Sequence, residues 1–477
     1  DQDGMMKPYF IRKNYSFLKD TGIIFPVAIH NTRVLVKAYY LHPETFGTAP
    51  IFLLTTDIPE NDYLSRTITH KLYDSNEPAR IAQSIILGIG GATLIDIMGL
   101  GVDVYHMNEG HALPLVYYLY SKFRNKEEVK KRVVFTTHTP EKAGNEEHSL
   151  KLLEEMSFFH GLSLDQVREI SGITKEDKSL NYTLTALRFA KISNAVSKIH
   201  RETSREMWKD NHSISDIISI TNAQNKKYWV DCKLENAFKN NDDAKLLKRK
   251  RQLKKELFQV VADQTGKLLD PDVLTIVWAR RFAGYKRADL ITRNYDRFLD
   301  LVTSINEPVQ VIWAGKPYPE DHGSIELFNH LIKLTEHLPR CAVLTGYELK
   351  LSALLKRGSD VWLNNPRYPR EASGTSGMTA AMNGSINVSI ADGWMPEFAK
   401  NGENCFMAPS TDLSLSYEEQ DRQDAQNILN ILEEKVIPTY YRDKKRWVEI
   451  MKNAMRDVVP EFNSDRMAIE YYEKMYC

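Results

Sequence analysis

Four cations fall within the string ARRFAGYKRADL: Arg280, Arg281, Lys286 and Arg287. The apolar run VLTIVWA, from Val273 to Ala279, reads as a buried strand and delivers them together at its end. Gathering like charges there is expensive unless an anion is bound. Arginine offers forked hydrogen bonds and lysine a point charge, a mixture suited to a phosphate or diphosphate. A second stretch, EASGTSGMTAAMNGSINVSIAD, places Ser373, Gly374, Thr375, Ser376 and Gly377 immediately before Met378, Thr379, Ala380, Ala381 and Met382. Small residues followed by helix formers mark a helix N-terminus, whose unpaired N–H groups and dipole attract anions. Glu371 just upstream would repel phosphate and is better used on sugar hydroxyls. A Gly/Ser-rich turn is often only a turn. Beside the cationic loop it becomes the second half of an anion site, with phosphate contacts expected from Arg280, Arg281, Lys286, Thr375, Ser376 and Gly377.

The same device recurs upstream. DVYHMN ends in Glu109, Gly110 and His111, and RVVFTTHTP ends in Thr136, Thr137, His138 and Thr139. KISNAVSKIH and ISITNAQN, which carries Asn222, follow suit. Open α/β sheets bind ligands at the C-terminal ends of their strands, so polar residues converging there shift the reading from structure toward a site.

The elements that must position these residues alternate strand and helix: strands 273–279, 309–315, 341–346 and 360–364, with helices between them. That alternation implies a parallel sheet covered by helices on both faces. The α/β architecture expected is two doubly wound domains facing a cleft. The divisions expected are residues 1–268 with an antiparallel insertion at 23–57, residues 269–445, and C-terminal helices 446–477 packing back over the junction. GKLLDP marks the boundary. LGIGG, inside a helical pattern at 77–98, is read as close helix packing, because no strand precedes it as a dinucleotide fingerprint requires. KLLKRKRQLKKELFQVVADQ is read as a solvated basic helix.

A chain of 477 residues exceeds one ordinary core. With 63 basic and 63 acidic residues, nucleic acid and anionic membranes are not favoured as partners. Cys232, Cys341, Cys405 and Cys477 have no metal-ligand spacing and fit a reducing, cytoplasmic setting; no metal is expected. No apolar run approaches a bilayer span on this reading.

The ordered strings HMNEGHALPLV, VVFTTHTPEKAGNE, NAVSKIHRETSREMW, ARRFAGYKRADL, LTGYELKLSALLKRGSDVWLN and EASGTSGMTAAMNGSINVSIADGW resemble the α-glucan phosphorylase family, particularly its shorter type, from about Phe10 onward. The resemblance implies a GT-B fold of two Rossmann-like domains. It also implies a retaining glucosyltransferase acting on glycogen, starch or maltodextrin with phosphate or sugar phosphate; a homodimer is left open. It places the sugar near His138, Asn222, Glu371, Ser373 and Gly374, with Glu109 and His111 close by. Phosphate falls to Arg281 and Lys286, and Tyr347 stands near the ring of pyridoxal phosphate. His138, Arg281, Lys286 and Glu371 thus become the catalytic set.

Three departures bear on this. Thr379 stands where the family's cofactor lysine is found, so pyridoxal phosphate is expected from the family but not as a Schiff base. Ala223 replaces a glycine, at about 1 kcal/mol if positive φ is needed. The family's N-terminal region with its glycine-rich phosphate loop has no counterpart in these residues, so an N-terminally incomplete first domain is expected. Two alternatives stay open: a nucleotide-sugar glucan synthase-like transferase without the cofactor, and a non-catalytic glucan-binding relative.

Overall fold

The computed structural model describes residues 5–7, 11, 13–72, 74–141 and 144–477. Asp1, where the chain opens, Phe10, where the resemblance begins, and Lys142 and Ala143 of VVFTTHTPEKAGNE lie outside them. Two compact units emerge. The amino-terminal unit takes Tyr9–Val196, Arg201–Ser219 and Glu473–Cys477, and the carboxy-terminal unit takes Ser197–His200 and Ile220–Tyr472.

In the amino-terminal unit, β1 (Leu18–Ile29), β2 (Thr32–Leu41) and β3 (Ile51–Thr55) form the antiparallel insertion. Alternation puts Phe25, Val27, Ile29, Val34, Val36 and Ala38 on the buried face. A parallel sheet follows, of β4 (Tyr105–Asn108), β5 (Val133–Thr136), β8 (Ile192–Ala195) and β9 (Ile217–Ser219), in the order β4-β5-β8-β9. A small antiparallel pair, β6 (Glu147–Ser149) and β7 (Ser179–Asn181), is inserted between β5 and β8. The glycines of LGIGG serve helix packing: a Cβ on Gly88 would lie 2.8 Å from both Ala112 O and Leu115 N. The continuous helix Glu77–Ile97 is, by length and composition, long and apolar enough to cross a membrane, which corrects the sequence expectation. Its Ile81, Ala82, Ile85, Ile86 and Ile89 are packed in this unit's core.

The carboxy-terminal unit is built on six parallel strands: β10 (Leu274–Ala279), β11 (Val309–Ala314), β12 (Cys341–Leu344), β13 (Val361–Asn364), β14 (Ile386–Ser389) and β15 (Cys405–Met407). Their order, β12-β11-β10-β13-β14-β15, is the doubly wound one, with its switch point between β10 and β13. β10, β11, β13 and β14 are buried at every residue, as strands covered on both faces must be.

The units divide at 219/220 rather than after 268. The helix Asp243–Thr265 is the reason, since it packs on the helix Leu349–Gly358, where a Cβ on Gly358 would meet Leu257 Cβ at 2.9 Å. That helix is not simply solvated, because Lys250 and Lys254 are buried. Lys254 Nζ donates to Val273 O at 2.7 Å and to Asp360, whose Oδ2 also accepts from Thr275 N at 2.9 Å. Asp360→Ala strands a buried ammonium and should cost about 3–5 kcal/mol of unfolding free energy in urea titrations. Asp272→Ala, which breaks the exposed pair with Arg251, should cost only about 0–1 kcal/mol.

Candidate functional site

The residues of the cationic loop do not behave alike. Arg280 leaves the end of β10 buried, with its guanidinium over the Trp278 ring and Nη2 donating to Leu363 O of β13 at 2.8 Å. Its Nε is buried with no protein acceptor, and burial pulls the guanidinium below its ordinary pKa. Arg281 is exposed, with no ion-pair partner among the described residues. Lys286 donates to Glu371 Oε2 at 2.6 Å, and the two side chains are only 12% and 10% exposed. Arg287 is a correction: it is not an anion ligand. Fully buried at φ 48°, it donates from Nη1 to Asp421 Oδ1 at 2.8 Å and Asp424 Oδ2 at 2.7 Å, and from Nη2 to Pro366 O at 2.7 Å.

Glu371 is held from both sides. Its backbone N–H donates to Asp392 Oδ2 at 2.9 Å, while Asp392 Oδ1 accepts from Gly393 N at 2.8 Å. Asp392 was not foreseen as a site residue, although IADGW places it just past the end of β14 on the same sheet edge. Gly374 turns at φ 78°, and a Cβ there would press on Glu371 Cγ at 3.1 Å. Ser373 O accepts from Trp394 N at 2.9 Å, and Ser373 Oγ is buried without a protein partner. The anticipated helix is real but short, Ser376–Met382, with Thr375 at its cap making no side-chain capping bond. Ser376 Oγ accepts from Trp362 Nε1 at 3.3 Å. A Cβ on Gly377 would lie 2.5 Å from Asn387 Oδ1.

Thr379 is fully buried and donates its hydroxyl to Ser376 O at 2.9 Å. It supplies no amine, so covalent attachment of pyridoxal phosphate at this position does not fit the residues present. Tyr347 is half-buried, its phenol 3.3 Å from Ala279 O and 3.2 Å from Ser352 Oγ, in an apolar cluster that contains Ala380. Asn222 is half-buried between Thr221, whose Oγ1 donates to Glu397 Oε2 at 2.8 Å, and Ala223. Ala223 is absent from the positive-φ residues, so the loss of glycine there costs no backbone strain.

In the amino-terminal unit, Glu109 and His138 come together. Glu109 sits at φ 64°, a strained conformation for a non-glycine residue. Its Oε1 accepts from the His138 backbone N–H and, at 3.0 Å, from Thr139 Oγ1. His138 Nε2 lies 2.6 Å from Asn108 Oδ1, and burial holds its imidazole below the usual pKa. His111, whose charge also acts on His138, approaches Glu146 Oε1 at 3.5 Å. Burial raises the Glu146 carboxyl, but His111, His148 and Arg80 outweigh that and hold it far below the usual carboxylate range.

A family model described as carbohydrate phosphorylase matches residues 173–428. An uncharacterized protein of Methanocaldococcus jannaschii is 46% identical over all of this chain and 89% of its own length. A maltodextrin phosphorylase of Thermococcus litoralis is 32% identical, over 96% of this chain and 60% of that enzyme. A glycogen phosphorylase of Aquifex aeolicus is 33% identical, over 90% of this chain and 70% of that enzyme. The chain therefore spans well under the full length of the two named enzymes.

Burial pushes Asp392 up to about 7 from an ordinary 3.8, so the folded chain keeps a proton there that the unfolded chain releases above about pH 4. Stability from this group is fully present below that pH and is lost as pH rises through about 7. Asp392→Asn is neutral throughout and should lose less stability than the parent between about pH 5 and pH 8, by roughly 2–4 kcal/mol. Urea melts across that range measure the difference; parallel curves would refute the assignment.

Proposed function

The chain belongs to the carbohydrate phosphorylase family, and we propose that it transfers glucosyl units between an α-1,4-glucan and phosphate, on a GT-B fold. Glycogen, starch and maltodextrin are the substrate class. In the degradative direction the bond from C1 to O4 of the next sugar breaks and a bond from C1 to a phosphate oxygen forms. The proton of hydrogen phosphate ends on O4, and glucose 1-phosphate leaves.

The observation that carries this reading is the Lys286–Glu371 pair at the edge of the doubly wound sheet, beside the buried Arg280 and exposed Arg281. A phosphate drawn to Arg281 would take Lys286 as a further cation. Glu371, released, would accept hydrogen bonds from sugar hydroxyls. As C1 departs from O4 the glucosyl group gains oxocarbenium character, and an anionic phosphate fixed by cations stabilises that charge where it develops. The reading gives Asn222, Ser373 and Gly374 of the carboxy-terminal unit the role of orienting the sugar.

Thr379 supports one second reading, transfer from a nucleotide-activated glucose, with Arg281 and Lys286 on the diphosphate. Incubation with glycogen or maltodextrin and phosphate should release glucose 1-phosphate. Arg281→Ala and Lys286→Ala should each lower kcat/KM about 10²–10³-fold while leaving glucan binding in place. Elongation of a maltooligosaccharide from ADP-glucose or UDP-glucose, with no phosphorolysis, would replace the first reading by the second. Glucan binding without either reaction would make the protein a binding relative.

A further inference from the structure

The carboxy-terminal unit holds a cavity of about 220 Å³ that shares no residue with the Lys286–Glu371 site. Its wall is almost wholly apolar: Val230, Phe238, Met382, Met455, Val459 and Pro460, carried on or beside the helices Cys232–Lys239, Ser376–Met382 and Lys444–Phe462. The sides are pinned and cannot simply collapse. Asp231 N–H donates to Asn383 Oδ1 at 2.9 Å, while the Asp231 carboxylate caps Cys232–Lys239 at Leu234 N and accepts from Arg249 Nη2 at 2.7 Å. On the other side Gly384 turns at φ 69°, where a Cβ would lie 3.0 Å from Met451 Cγ and 3.4 Å from Met455 Sδ. Its bare backbone lets the helix Lys444–Phe462 close in. Both helices are thus fixed to the turn after Met382. An apolar wall held apart in this way lacks packing partners that a ligand would supply.

The charges that line the cavity are unbalanced. Lys226, Lys239 and Arg456 face a single carboxylate, Glu235. Lys226 Nζ and Lys239 Nζ converge on the same oxygen, Glu235 Oε1, at 2.5 and 3.0 Å. Arg456 uses only its Nε, on Asp457 Oδ1 at 2.8 Å, so its two Nη groups have no partner among the described residues. Asp457 is itself shared, since its Oδ2 accepts from Lys400 Nζ and Asn404 Nδ2. We propose that this cavity binds a medium-chain fatty carboxylate, with the chain against the apolar wall and the head group at the surplus cations. An apolar cavity of about 150 Å³ takes the six carbons of benzene, so this one takes a chain of roughly eight or nine. Two methionines in the wall conform to a flexible chain better than a rigid wall would. No hydroxyl or amide side chain lines the cavity, so a sugar or a nucleotide would leave its polar groups unpaired there. The lysine and arginine stems extend the apolar wall while their charged ends stay in water, and a free guanidinium edge suits a carboxylate. The site is independent of the glucosyl transfer proposed above.

The test is isothermal titration calorimetry of the intact chain with octanoate and with 1-octanol at neutral pH, in low and high salt. Octanoate should bind saturably at one site per chain and more weakly as salt screens the cations. The alcohol, which keeps the chain and loses the charge, should bind about tenfold more weakly. Arg456→Gln and Lys239→Gln, both at exposed side chains, should each weaken octanoate about 2–5-fold and leave the alcohol unchanged. Val459→Trp fills the cavity and should abolish binding of both, with near-UV circular dichroism to confirm its fold. Should that variant fail to fold, the two exposed substitutions decide alone. Absence of saturable octanoate binding, equal affinity for the alcohol, or octanoate affinity unchanged in Arg456→Gln and Lys239→Gln would each overturn the proposal.

Discussion

The carboxy-terminal unit hangs its chemistry on one buried guanidinium. Arg287 has no contact with solvent, and its donors reach two carboxylates of the helix Tyr417–Ile431 and the carbonyls of Asn365 and Pro366 just past β13. Asn365 Nδ2 returns a bond to Arg287 O at 2.7 Å. A buried charge is tolerable only when it is this fully paired. The result is that the loop carrying Arg281 and Lys286 is clamped at its far end, while Arg280 clamps its near end to Leu363. Asp421 is shared further, with Arg293 and Arg367, so the clamp is a network and not a single pair.

With both ends held, the loop can present unlike cations for unlike purposes. Arg280 contributes charge from within, Lys286 is neutralised by Glu371, and Arg281 faces outward. Glu371 in turn depends on Asp392, because the backbone N–H that orients it is held by that carboxyl. The two acids differ in surroundings: Asp392 is wrapped by β14 and the Gly393 turn, and Glu371 by a lysine. One is pushed toward neutrality, and the other has a cation beside it.

Much of this was legible in the sequence. The strands of the doubly wound sheet fall where apolar runs predicted them, because strands buried on both faces leave an uninterrupted apolar signature. The helix at Ser376 follows its small residues as expected, and LGIGG is a packing motif, as the missing strand implied. What could not be read was which member of a charge cluster faces inward. Arg280, Arg281 and Arg287 look equivalent as letters, but the partners that sort them, Leu363, Asp421 and Asp424, lie some 80 to 140 positions later. Lys250 and Lys254 were hidden for the same reason: a basic run on a helix looks solvated until the helix packed against it is known. The division of the chain at 219/220 was missed because GKLLDP is only a turn within a unit whose first helices precede its first central strand. The sixth strand, Cys405–Met407, is too short to announce itself.

The Lys286–Glu371 contact carries a consequence beyond the two residues. On the proposed function, each partner of the pair has its own ligand, phosphate for the lysine and sugar for the carboxylate. Whichever ligand arrives first must separate the pair, and the second finds its partner already released. Binding of the two is then linked with equal strength in both directions, as any equilibrium coupling between sites must be. A solitary sugar or a solitary phosphate would be held weakly and the two together firmly, so that one ion pair would act as the enzyme's check that both substrates are present.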